Sequence, residues 1–114
     1  MKTLLFSCFA MLWAGSAIAH SPLETTSPAA GSTVSTAPTE VLMDFKGGIR
    51  LTKVTVTHAG TDSVDLDLSA FKGFISDYAI PIAGFGPGHY QIDWRGLGDD
   101  GHAMKGTFSF TVEE

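Results

Sequence analysis

Beyond residue 40 the chain places apolar side chains at every second position. Val54 and Val56 alternate with Lys53, Thr55 and Thr57, and Val64, Leu66 and Leu68 alternate with Asp65 and Asp67. The same rhythm returns at Tyr78, Ile80 and Ile82. It returns again at Tyr90, Ile92 and Trp94 against Gln91, Asp93 and Arg95, and at Phe108, Phe110 and Val112 against Ser109 and Thr111. A period of two, built from β-branched and aromatic residues, predicts strands with one buried face, because successive side chains of an extended chain point to opposite sides. Residues 41–45 add a short apolar run, and Leu23 marks an N-terminal strand.

Turn chemistry separates these runs: PAAG at 28–31, Gly47-Gly48, HAG at 58–60, GFGPG at 84–88 and DDG at 99–101. Residues 69–76 are ambiguous, since Ala70, Phe71 and Phe74 suit either one helical turn or a loop. The spacing predicts an all-β fold, an immunoglobulin-like Greek-key β-sandwich of about seven strands. Alternation predicts a core of Val41 or Leu42 with Phe45, Val54, Val56, Leu66, Ile80, Ile82, Tyr90, Ile92, Trp94, Phe108, Phe110 and Val112. Each such side chain contributes roughly 1.5–3 kcal/mol on burial. Gly88-His-Tyr90 places a tyrosine near a strand start, as in the tyrosine corner of such sandwiches.

The first 19 residues follow a different pattern. Lys2 precedes an almost continuous apolar stretch, and Ala17-Ile18-Ala19 is a small-x-small cleavage site, so residues 1–19 read as a cleaved signal peptide and 20–114 as a single domain. The apolar run is too short for a membrane span of roughly 20 residues. Cleavage removes Cys8, the only cysteine, leaves 95 of 114 residues, and moves the formal net charge from −5 to −6 by removing Lys2. The mature chain then has no disulfide and no thiol ligand. With no Lys/Arg cluster along the sequence, a nucleic-acid partner is not expected.

Cleavage after Ala19 also makes His20 the first residue. A terminal histidine offers its α-amine and ring Nδ1 to one metal ion, a chelate no internal histidine can form. The amine's ordinary pKa of about 7.7–8.0 lets a metal displace its proton near neutral pH. Pro22 has no N–H, so a metal at the terminus cannot recruit an amide there; Pro22 equally suits a strand edge. Further ligands must come from elsewhere in the fold. The loop before the last strand, residues 96–102, presents Asp99, Asp100 and His102, and Asp100 and His102 share a face if that stretch is extended. Amine, imidazole and carboxylate together suit tetragonal Cu(II).

The late segment PGHYQIDWRGLGDDGHAMKGTFSFTV, with SPAAGS and VLMDF earlier and a histidine directly after the cleavage site, resembles the CopC-type periplasmic copper-binding (copper resistance) proteins across the whole mature chain. The resemblance implies Cu(II) ligation by His20, through amine and ring, and by Asp100 and His102. It implies one Cu(II) per chain, a periplasmic location and a role as chaperone or buffer in copper homeostasis. An inner-membrane copper transport protein is then a natural recipient. Some members carry a methionine-rich loop for Cu(I). Here the mature chain has only Met43 and Met104, so no dedicated Cu(I) site is expected. The chain is read as a monomer, not embedded in a membrane and not an enzyme. A metal-free immunoglobulin-like interaction module and a small copper oxygenase are the alternatives.

Plainer readings stand beside these. Asp100 before Gly101 is what a tight turn wants. Asp99 reads as a solvated turn residue, His58 as a solvated loop histidine, and His89 as solvent-facing. Met43 reads as core and Met104 as packing beneath the loop. Arg95 should be exposed, with Asp93 or Asp99 as a partner.

Overall fold

A computed structural model of the chain describes residues 22–113. Among these residues there are seven strands and no helix: β1 (Leu23–Ser27), β2 (Thr33–Val34), β3 (Glu40–His58), β4 (Val64–Asp65), β5 (Ile75–Pro81), β6 (Gly88–Gly98) and β7 (Ala103–Val112). The fold is a β-sandwich whose two layers share β3. Its first half pairs antiparallel with β1 and β5, and its second half with β6 and β4. From β6 the sheet continues to β7 (antiparallel) and β2 (parallel to β7).

The strand count matches the expectation, but the membership differs. Residues 41–45 and 54–57, expected as separate strands around a Gly47-Gly48 turn, belong to one 19-residue strand. The glycines sit where the pairing register shifts, between Asp44 and Ile49. Gly48 packs closely there: a β-carbon on it would stand 3.2 Å from Cβ of Phe74, a tight contact. β2, too short to show an alternation, was not anticipated. The expected strand through Leu68 stops at Asp65, so Leu66 is only half-buried and Val64 is exposed, which corrects Leu66 as a core residue. Leu66 still donates its N–H to Val54 O at 2.8 Å before the chain leaves β3. Residues 69–76 form no helix: Asp67 Oδ1 accepts the Ser69 N–H at 2.9 Å, and a Phe71 N–H to Leu68 O bond closes a turn.

The core otherwise follows the alternation. Val41 rather than Leu42 points inward, and Met43, Ile49, Leu51 and Tyr78 join it. Phe45 links the layers, edge-on to Trp94 of β6 at 5.2 Å and to Tyr78 of β5 at 5.9 Å. The Tyr78 hydroxyl donates to Ile49 O at 2.6 Å and accepts from Leu51 N–H at 3.2 Å, tying β5 to β3 beyond the bulge. Tyr90 donates its hydroxyl to Gly86 O at 2.6 Å, the upstream backbone bond of a tyrosine corner. No polar or charged residue is fully buried among the described residues, so chemistry belongs to the rims and outer faces.

Candidate functional site

The β6–β7 hairpin ends in a turn whose last ladder pair is Leu97 with Ala103. Gly98 N–H donates to His102 O and Gly101 N–H to Gly98 O, both at 2.9 Å. Gly101 has φ of +87°, a conformation that disfavours any side chain with a β-carbon. Within this frame Asp100 binds His102 twice. Its Oδ1 accepts the His102 backbone N–H at 3.0 Å, and its Oδ2 lies 2.8 Å from His102 Nδ1. The first bond is a local side-chain-to-backbone turn contact; the second fixes the ring, with Nδ1 as donor because an ionised carboxylate only accepts.

Both side chains face solvent, His102 at 80% and Asp100 at 58% exposure. The hydrogen bonds hold the Asp100 carboxyl below the usual carboxylate range. The carboxylate in turn, by hydrogen bond and then by charge, raises His102 above the usual imidazole value. Gly98 completes the geometry from below. A β-carbon there would fall 2.7 Å from Met104 Cε and 3.0 Å from Asp100 Oδ1. Met104 thus packs half-buried under the turn, as expected.

The other predicted residues divide clearly. His20 lies outside the described residues, as do the proposed leader and Cys8. Asp99 is exposed and forms no hydrogen bond or ion pair among the described residues, and Arg95 is exposed without its expected aspartate partner. His89 faces solvent as expected. The reading of His58 as a solvated loop residue is corrected. It ends β3, half-buried, with Nε2 donating to Pro87 O at 2.8 Å and the ring packed on Phe85 and Tyr90. Sequence could not show this cage, because Phe85 and Pro87 come from another loop. His58 pairs with Tyr90 at the start of β6, whereas Gly98 at its end pairs with Ile49, nine residues back along β3 and roughly 30 Å away. Neither His58 nor His89 can therefore join Asp100 and His102.

Among the described residues no three histidine, cysteine, aspartate or glutamate side chains gather as a metal site; Asp100 and His102 come together as a pair. Strand order shows which segment lies nearby. At residues 42–44, β3 has β1 on one edge and β5 on the other; at Ile49 it has β5 on one edge and β6 on the other. β1 and β6 therefore follow one another along the same edge. β1 begins at Leu23 opposite Phe45, β6 ends at Gly98 opposite Ile49, and Pro22 O accepts the intervening Lys46 N–H at 2.7 Å. The start of the first strand and the end of the sixth face each other across residues 46–48.

Comparison with known proteins follows this geometry. A family model described as the CopC domain matches residues 23–113. Copper resistance protein C of Escherichia coli is 29% identical, over 98% of this chain and 96% of its own length. Protein YobA of Escherichia coli K12 is 28% identical, over 83% of this chain and 80% of its own. Among solved structures, CopC from Methylosinus trichosporium OB3b aligns with a TM-score of 0.68 at 26% identity, covering 82% of this chain and 94% of that one. PcoC, a methionine-rich copper resistance protein from Escherichia coli, aligns with a TM-score of 0.56 at 28% identity, covering 83% of this chain and 100% of its own.

Proposed function

This chain belongs to the CopC family, and on that premise we propose that it is an exported, periplasmic carrier of Cu(II). Removal of residues 1–19 exposes His20, whose amine and ring join Asp100 and His102 around one copper ion. The observation that carries the reading is the paired Asp100–His102 turn at the very edge of β3 where β1 begins. His20 lies two residues before Pro22, and two residues span at most roughly 7 Å.

The donors fit the ion. Carboxylate oxygen and imidazole nitrogen suit Cu(II), and thioethers suit Cu(I). Met43 is wholly inside the core and Met104 lies beneath the turn, so we assign no thioether site comparable to a methionine-rich one. Asp100 orients the His102 ring before metal arrives, which lowers the ordering cost of binding. The exposed rim leaves bound copper reachable by a second protein, consistent with a buffer or chaperone that passes copper to an inner-membrane transporter rather than a catalyst.

The test is the mass of the secreted protein with and without copper, followed by Cu(II) titration of protein starting at His20 and of protein carrying one extra residue before it. The reading expects a chain beginning at His20, one copper per chain, and a large loss of affinity when the amine becomes an amide. Equal affinity of the two forms, or no copper in either, overturns it.

A further inference from the structure

The outer face of the β3–β6–β7 layer carries a second feature, unrelated to the copper rim. Lys53 pairs directly with Arg95, and Arg95 directly with Lys105, so three cations stand in one row across three adjacent strands. They are three of the six lysines and arginines that follow residue 19 in an acidic chain. All three are exposed, and none has an ion-pair partner among the described residues. Asp93, in the next row, is engaged by Gln91, whose Nε2 donates to both carboxylate oxygens at 3.2 and 3.3 Å. Like charges directly opposite on neighbouring strands destabilise a sheet. The row therefore costs stability, and no ion pair among the described residues offsets it.

The three cations line a groove of about 710 Å³, with Asp65, Thr55, Asp93 and Thr107 beside them. Thr55 pairs with both Asp65 and Asp93, and Asp93 with Thr107, so these four form the adjacent row. Same-face rows along a strand lie roughly 6.6–6.8 Å apart. A uniformly anionic surface laid on the cations would meet two carboxylates at that distance. A peptide can avoid this by setting acidic side chains on one row and a basic one on the next.

We propose that this face docks an extended segment of a partner protein in which acidic residues are followed by a lysine or arginine. Its carboxylates meet Lys53, Arg95 and Lys105, and its cation meets Asp65 and Asp93. The docked segment then supplies the counter-charges that the cation row lacks among the described residues.

The probe is a synthetic peptide of alternating glutamate and threonine ending in lysine, titrated into the purified mature protein at low salt and followed by amide chemical shifts. Saturable shifts confined to β3, β4, β6 and β7 are expected, weakening with salt. Lys53→Glu with Lys105→Glu should weaken binding by about tenfold while leaving Cu(II) affinity unchanged. Lys105→Thr alone should weaken the peptide and raise the melting temperature, a gain that a merely structural lysine would not give. Absence of saturable shifts overturns the proposal. So does tighter, Lys105-dependent binding to phosphatidylglycerol vesicles, which would make the face a membrane contact. Concentration-dependent dimerisation abolished by the same variants would assign the face to a second copy instead.

Discussion

The indole nitrogen of Trp94 lies 2.7 Å from the point where a β-carbon on Gly106 would stand, and two of its ring carbons lie at 2.8 Å. The two residues oppose each other on β6 and β7, so the ring fills the space a side chain at position 106 would need and packs against Phe45 in the core. Among the described residues the indole N–H has no acceptor, a cost accepted for that packing. Gly106→Ala should force the ring or β7 to shift and destabilise the domain by about 1–3 kcal/mol, the range for overpacking. Chemical denaturation would show this as a lower midpoint with an unchanged slope.

The Asp100–His102 pair sets a pH window. Asp100 is held below its ordinary value, so its contribution exists above the usual carboxylate pKa and is lost as pH falls through the lowered one. His102 is held above its ordinary value, so its contribution is complete below the usual histidine pKa and is lost as pH rises through the raised one. The ion pair is therefore strongest in mildly acidic solution. In metal-free protein, the NMR titration midpoint of the His102 ring should fall on Asp100→Asn. An unchanged midpoint would contradict the hydrogen bond.

Gly98 should matter to metal more than to folding. An alanine there meets the flexible tip of Met104 and the Asp100 carboxylate, both of which can move, but moving Asp100 releases the His102 ring. Gly98→Ala should weaken Cu(II) binding by about tenfold or more, as loss of an orienting partner does, with little change in melting temperature. Pairing the alanine with a shorter residue at Met104 should restore only part of the affinity.

At the far end, Tyr90→Phe removes the hydroxyl bond to Gly86 while keeping the stack on Phe110 at 4.9 Å. The expected loss is about 1 kcal/mol, read by thermal unfolding. Copper affinity should not change, because the tyrosine lies eight residues before Gly98 along β6, at the opposite end of the strand from the rim.

Side-chain alternation made the buried faces legible, since burial on one side of a pleated strand acts on every second residue. It did not reveal that β3 is continuous. Two adjacent glycines carry a turn signature, yet here they let one strand change layers while Phe74 presses close. β2 stayed hidden because its two residues pair in parallel with β7, about 78 residues later in the chain, and no local pattern records such a pairing. Asp100 and His102 were legible as a pair because a two-residue spacing around a glycine turn brings them together by local geometry alone. Cross-strand relationships, such as the His58 cage and the row from Lys53 to Lys105, depend on register and emerge only once strands are matched.

Because one uninterrupted strand belongs to both layers, neither half of the domain owns a complete set of backbone partners. Separating the layers would break the same ladder that anchors the rim. On the proposed reading, a metal gripping that rim would therefore hold both layers closed, lending rigidity to a folded part that has no cysteine for a disulfide.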